Sequence, residues 1–126
     1  MAEEVDLESI QAARDRIAGR VVNTQFIRSP LLSDLTGVEL ILKREFEQRT
    51  GSFKERGARN ALELLPPDAR LRGEVAASAG NHALALAYHG REMGIPVAVV
   101  MPRFAPLIKV ESCRRMGVEV ELYGDT

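Results

Sequence analysis

Apolar residues recur at helical spacing at the start of the chain, where Asp6 and Gly19 stand at the positions of a cap and a stop. The apolar positions of this predicted amphipathic helix are Leu7, Ile10, Ala13 and Ile17. Farther along, residues 38–43 are rich in branched apolar side chains and follow Gly37. This composition predicts a buried strand.

The rest of the chain alternates between helical and strand patterns after a polar loop over residues 44–51. Ser52 and Glu55 have capping-box spacing, ahead of a helix that we expect to end near Leu65, before two prolines. The predicted elements that follow are a strand at Glu74–Ala77, a helix at Asn81–Met93, a strand at Val97–Met101, a helix at 105–116 and a strand at 118–122.

Strands that alternate with helices predict an α/β fold with a parallel sheet flanked by helices, a three-layer, Rossmann-like arrangement. Val97–Met101 is apolar throughout, so we expect it to be central and covered by helices on both faces. Residues Gly124 to Thr126 follow the last predicted strand and could cap a further helix, but no helical pattern comes after them in the 126 residues. We therefore expect further sequence, or another chain, to complete the fold.

Length and charge indicate one soluble α/β unit with a small-molecule partner. Of the 126 residues, 45% are apolar and 28% are charged, and 17 basic side chains are interspersed with 18 acidic ones. This distribution offers no basic surface for nucleic acid or an anionic membrane. The acidic start precedes no apolar run of signal or spanning length, so we expect a cytoplasmic protein. We interpret the lone Cys113 as a packing residue.

Common catalytic fingerprints are missing from the sequence, which contains no dinucleotide-binding glycine motif, no P-loop and no G-x-S-x-G. His82 and His89 are seven residues apart, too far for the i, i+4 pairing of a helical metal site. We therefore predict no metal site.

The segment Thr50–Ala58 places Lys54 in the predicted first turn of a helix. A positive charge is unfavourable at a helix N-terminus, which favours the neutral amine, the form that attacks an aldehyde to give a Schiff base. The alternative is a solvated lysine beside a capping box.

A second segment, Ser78-Ala79-Gly80-Asn81-His82, lies between a strand and an alanine-rich helix. Its small residues expose backbone N–H groups at a helix N-terminus, which suits a carboxylate or a phosphate. The alternative is an ordinary βα turn capped by Ser78 or Asn81.

Taken together and in this order, the two segments resemble the threonine and serine dehydratases of the fold type II pyridoxal-phosphate enzymes. The likeness extends over nearly the whole chain, including Arg28–Leu31, Leu42–Glu45 and Val99–Pro102. It implies that the chain is the amino-terminal part of such an enzyme. About residues 1–50 would pack with a missing large domain, and about 51–126 would form most of the small domain.

The resemblance implies a pyridoxal-phosphate lyase that converts L-threonine to 2-oxobutanoate and ammonia. Lys54 would bind the cofactor and then act as the general base, Phe53 would flank the cofactor ring, and Asn81 would lie near its phenolic oxygen. Residues 78–82 would bind the substrate carboxylate. We further expect a homo-oligomer, with a role in amino-acid metabolism and isoleucine biosynthesis.

Two positions depart from the family pattern. Relatives commonly continue the substrate loop with Gln-Gly, where this chain has Leu84-Ala85. Serine racemases carry a second catalytic serine at the position of Ala79, so this alanine favours dehydration over racemisation. L-serine dehydration, or another β-elimination, is the alternative reaction.

The family's glycine-rich phosphate loop and its partner for the pyridine nitrogen lie beyond these 126 residues. We therefore expect the chain alone to bind the cofactor weakly and to be nearly inactive. A catalytically silent α/β module that associates through its sheet edge is the rival interpretation.

Overall fold

A computed structural model of the protein describes residues 5–125. A first region contains helix α1 (Leu7–Arg16), strand β1 (Phe26–Arg28), helix α2 (Pro30–Thr36), strand β2 (Ile41–Lys43) and a 3₁₀ turn at Glu45–Glu47. A second region contains helices α3 (Lys54–Leu64) and α4 (Pro67–Arg72), strand β3 (Glu74–Ala77), helix α5 (Asn81–Met93), strand β4 (Val97–Met101), helix α6 (Leu107–Arg115) and strand β5 (Glu119–Leu122).

The second region contains the predicted parallel sheet. Its strand order is β3-β4-β5, so β4 is central as predicted. The bounds of β3, α5 and β4 are those that the sequence predicted, and the fold class is confirmed. One feature was missed: the two prolines after α3 also begin the short helix α4.

Burial alternates along β4. Val97, Val99 and Met101 are at most 8% exposed and pack with α5 and α6 in the core, whereas Ala98 and Val100 are only half-buried. Val75 is paired with Ala98 and is 69% exposed. Among residues 5–125, helices therefore bury one face of β4 and leave the other partly open, although both were expected to be covered.

The first region has a different architecture. The β1–β2 pair is antiparallel and separate from the parallel sheet, and every residue of both strands is exposed. The prediction of a buried strand at residues 38–43 was wrong in both length and burial. Its apolar composition suits a partner surface that the described residues do not provide.

The predicted first helix, with Asp6 as its cap, is confirmed as α1. Asp6 caps it by accepting a hydrogen bond from the Ser9 backbone N–H at 2.8 Å. Cys113 lies on α6 and is fully buried, and burial raises the pKa of its thiol. The interpretation of Cys113 as a packing residue is therefore also confirmed. No helix among residues 5–125 is long and apolar enough to cross a membrane.

Candidate active site

Lys54 is the first residue of α3 and is exposed. Its Nζ lies 5.2 Å from the centre of the Phe53 ring, which is itself 60% exposed. None of the ion pairs formed within residues 5–125 includes Lys54. The amine is thus held against an aromatic face and is not neutralised by a carboxylate of the described chain.

The predicted capping box before Lys54 does not form. Ser52 Oγ accepts a hydrogen bond from the Lys54 N–H at 3.3 Å, and no side chain caps α3. The Glu55 carboxylate instead accepts a hydrogen bond from the backbone N–H of Thr50. The spacing was correct for a box, but Glu55 points into the protein and is 0% exposed.

A polar cluster around Glu45 fixes the segment that leads to Lys54. Glu45 accepts hydrogen bonds from Arg56 Nε and one Arg56 Nη at 3.0 and 2.8 Å, from Thr24 Oγ1 at 2.6 Å and from Gln48 Nε2 at 3.2 Å. These donors, with Arg56 first, lower the pKa of Glu45 to about 2. The cluster ties the first region to α3.

The second candidate segment lies at the carboxyl end of β3. The Ser78 N–H donates to Val100 O on β4 at 3.0 Å, and Ser78 Oγ accepts from the Gly80 N–H at 3.3 Å. Gly80 precedes α5, and no side-chain hydrogen bond caps that helix. A Cβ added to Gly80 would meet no atom within 4 Å, so the space directly beside Gly80 is open on that side.

Asn81 and His82 form the first turn of α5, with Asn81 exposed. Lys109 of α6 donates a hydrogen bond from Nζ to Asn81 Oδ1 at 3.1 Å. This contact leaves the Asn81 Nδ2 group to act as a donor. Sequence reasoning missed Lys109, since one lysine on a polar helix face gives no signal of its own.

The structure places residues 78–82 at the junction of β3 and α5, and Lys54 on the neighbouring helix α3. Helices α3 and α5 pack directly against each other. No hydrogen bond among residues 5–125 joins Lys54 to the loop. The link between them is the buried pair of Glu55 on α3 and His89 on α5, which sequence reasoning also missed.

A family model described as "Pyridoxal-phosphate dependent enzyme" matches residues 17–126. The chain belongs to this family. The match confirms pyridoxal phosphate as the cofactor of the family, and the predicted likeness to threonine dehydratases is confirmed by the relatives described next.

Three relatives illustrate the likeness. The chain is 46% identical over 121 residues to the L-threonine ammonia-lyase of Thermotoga maritima, covering 96% of this chain and 30% of the relative. It is 43% identical over 121 residues to the catabolic L-threonine dehydratase TdcB of Escherichia coli, covering 96% and 37%. The solved maize serine racemase superposes with a TM-score of 0.91 at 35% identity, covering 98% and 38%. The chain thus spans about a third of the length of these relatives.

The residues present fit the family's cofactor in part. Lys54 offers an amine free of ion pairs among the described residues, beside an aromatic ring, and Asn81 offers an amide donor. The open space beside Gly80 allows an anionic group to approach the start of α5.

Proposed function

We propose that the protein is a pyridoxal-phosphate-dependent ammonia-lyase that deaminates L-threonine to 2-oxobutanoate and ammonia. The observation that carries the proposal is the Lys54 amine at the first residue of α3, against the Phe53 ring and without a carboxylate partner in the described chain. The identity to the threonine ammonia-lyase of Thermotoga maritima supports the choice of substrate.

In this proposal Lys54 binds the cofactor and later removes the proton from the substrate Cα. Pyridoxal phosphate, when bound, supplies an electron sink that stabilises negative charge at that carbon. Phe53 flanks the cofactor ring and restricts where the lysine amine can lie. An exposed lysine at a helix start, next to an aromatic face, is suited to both binding and proton transfer.

The loop of residues 78–82 binds the substrate carboxylate in this proposal. Backbone N–H groups at the uncapped start of α5 point toward an incoming anion, and the helix dipole favours negative charge there. Lys109 holds Asn81 Oδ1, so Asn81 Nδ2 is the donor available to the cofactor's phenolic oxygen. Lys109 also adds positive charge beside the loop.

L-serine dehydration is the alternative reaction, and the structural likeness to maize serine racemase favours keeping serine as a candidate substrate. Ala79 has no hydroxyl to act as a base on the opposite face of the substrate. This favours elimination over racemisation. The ratio of kcat/KM for threonine and serine, measured with the full-length protein, decides between the two substrates.

We further propose that about residues 1–50 pack with the rest of a longer catalytic domain, while about 51–126 form most of its small domain. The exposed apolar side chains of the first region support this division. They include Phe26 at 69%, Leu31 at 70%, Leu35 at 73% and Ile41 at 57% exposed. Their exposure fits a surface that another element covers.

We also propose a cytoplasmic homo-oligomer that supplies isoleucine biosynthesis. One of the relatives, from Escherichia coli, is described as catabolic, so biosynthesis and catabolism are the alternatives to separate. A deletion strain that requires isoleucine for growth would support the biosynthetic role. Growth without isoleucine, with loss of growth on threonine, would support the catabolic one.

Borohydride reduction tests the assignment of Lys54. In the full-length, cofactor-loaded protein, reduction should fix the cofactor to Lys54, as read by peptide mass spectrometry. Lys54→Ala should lose the label and lower kcat at least about 10³-fold, because it removes both the binding amine and the base. Lys109→Ala is the comparison variant and should keep the label. A label on another lysine would rule out the proposed site.

A further inference from the structure

Glu55 and His89 form a buried polar pair between α3 and α5, one residue past Lys54. Both side chains are 0% exposed, and Glu55 Oε2 lies 3.5 Å from His89 Nε2. The other carboxylate oxygen, Oε1, accepts a hydrogen bond from the Thr50 backbone N–H. Burying two ionisable groups in a helix interface costs free energy that apolar residues of similar size would avoid. The pair therefore needs an explanation other than core packing.

The surroundings of His89 favour a neutral imidazole. Burial is the main cause that lowers its pKa, with further lowering by the positive charges of Arg59 and Arg49, while Glu55 opposes the shift. A neutral imidazole has one N–H group, and the nitrogen nearest Glu55 is Nε2. The 3.5 Å approach of His89 Nε2 to Glu55 Oε2 is a contact and not a hydrogen bond, so among the described residues Oε2 and both imidazole nitrogens lack a hydrogen-bond partner. The Thr50 N–H binds the other carboxylate oxygen.

These contacts connect the two halves of the candidate site. Thr50 precedes Lys54 by four residues, so its hydrogen bond to Glu55 closes residues 50–55 into a ring that carries the lysine. His89 lies two helical turns after Asn81 on the same helix. The position of Lys54 relative to residues 78–82 is therefore coupled through Glu55, His89 and the backbone of α5.

We propose that Glu55 is a positioning residue, which together with His89 sets the place of the Lys54 amine relative to the Asn81 loop. The inference rests on the function proposed above. Glu55 acts through the backbone of residues 50–54 and touches neither cofactor nor substrate. Its length matters more than its charge, because the side chain must reach both Thr50 and His89.

Two substitutions in the full-length holoenzyme separate length from charge. Glu55→Gln keeps the reach and the acceptor for Thr50, and its amide can donate to His89 in the other imidazole tautomer. Glu55→Asp keeps the charge but is one methylene too short to reach both partners. We expect Glu55→Asp to lower kcat by about 10²-fold, as a displacement of about 1 Å can do, with less than about a threefold change in KM. Glu55→Gln should stay within about threefold of the wild type.

Leu62→Ala is the matched control. Leu62 lies on the same buried face of α3 as Glu55 and is 1% exposed, but its apolar side chain makes no hydrogen bond to residues 50–54. It should lower the melting temperature at least as much as Glu55→Asp while leaving kcat within about threefold. A second readout does not depend on turnover. The pH midpoint of the visible absorption band of the bound cofactor should shift by at least about half a unit in Glu55→Asp and not in Leu62→Ala.

The outcomes are distinguishable from one another. If Glu55→Gln loses as much activity as Glu55→Asp, or if Leu62→Ala reproduces the losses and the absorption shift, positioning by Glu55 is wrong. Borohydride labelling of the same samples tests the site separately. A label on Lys54 with unchanged kcat and absorption in Glu55→Asp overturns only this inference, whereas a wild-type label on another lysine overturns the proposed function as well.

Discussion

The two regions of the molecule differ in whether they enclose an apolar core. Residues 51–125 enclose one between α3, α5, α6 and one face of the parallel sheet, with Val99 and Met101 almost fully buried, although they also expose side chains such as Val75. Residues 5–50 expose apolar side chains on both β1–β2 strands and on α2. What holds the first region to the second is largely polar, and the Glu45–Arg56 contact is its clearest example. Residues 51–125 thus have a core of their own, whereas residues 5–50 need other surfaces to cover their apolar side chains.

The largest expected effect comes from the buried pair in the second region. His89→Leu removes the imidazole that lies 3.5 Å from the buried Glu55 carboxylate, and it should lower the free energy of unfolding by about 3–5 kcal/mol. Denaturant unfolding measures this change. A loss below about 1 kcal/mol would show that the carboxylate finds another partner.

The same histidine makes stability depend on pH. In the folded protein the pKa of His89 lies below the ordinary histidine value of 6.5. As pH falls, His89 therefore takes up its proton in the unfolded chain before it does so in the folded one. Stability should therefore be complete above about 6.5 and should decline below it, down to the folded pKa. His89→Leu should remove this part of the pH dependence.

Truncating one apolar side chain in each region tests the comparison directly. Leu62→Ala should destabilise the protein by about 2–5 kcal/mol. In the 126-residue chain, Leu35→Ala should change stability by less than about 0.5 kcal/mol, because Leu35 is 73% exposed. In the full-length protein the Leu35→Ala cost should rise, if the first region packs as proposed. Equal, small costs in both proteins would break that part of the comparison.

The polar junction should have an intermediate effect. Glu45→Gln removes the charge that binds Arg56 and should cost about 2 kcal/mol at pH 7. The folded pKa of Glu45 is about 2, below its ordinary value of 4.5. This stabilisation is therefore present above about 4.5 and is lost as pH falls from there toward 2. Urea unfolding at pH 7 and pH 3 should show the difference shrinking at the lower pH.

Two helical glycines should have effects of opposite sign. A Cβ on Gly90 would overlap Val97 Cγ2, so Gly90→Ala should destabilise the contact between α5 and β4 by about 1–3 kcal/mol. A Cβ added to Gly57 on α3 would meet no atom within 4 Å, and Gly57→Ala should stabilise the 126-residue chain by about 0.5–1 kcal/mol. Thermal unfolding of both variants measures the contrast.

Local pattern was sufficient where an element packs mainly against its sequence neighbours. The bounds of β3, α5 and β4 follow from apolar patterns that glycines and prolines interrupt, and the structure agrees with them. For residues 38–43 the same reasoning predicted burial, because composition reports what a strand can pack against and not whether that surface is present among these residues.

The candidate site shows the same limit. Lys54 and residues 78–82 were predicted as site residues from their placement at helix starts and from resemblance, and they stay a prediction. Glu55 was assigned to a capping box because its spacing from Ser52 fits one. The spacing of Glu55, Ala58, Arg59 and Leu62 fits an inward helix face equally well, and that is the face they form. Only the packing of α3 on α5 distinguishes the two interpretations, and it also reveals His89 as the partner.

Cys113 can serve as a built-in probe of how often the folded core opens. It is the only cysteine in the 126 residues, it is fully enclosed on α6, and burial holds its thiol in the unreactive protonated form. A thiol reagent can therefore modify the chain only when α6 separates from the sheet. The labelling rate measures how often the second region opens, and it does so under native conditions without any added probe.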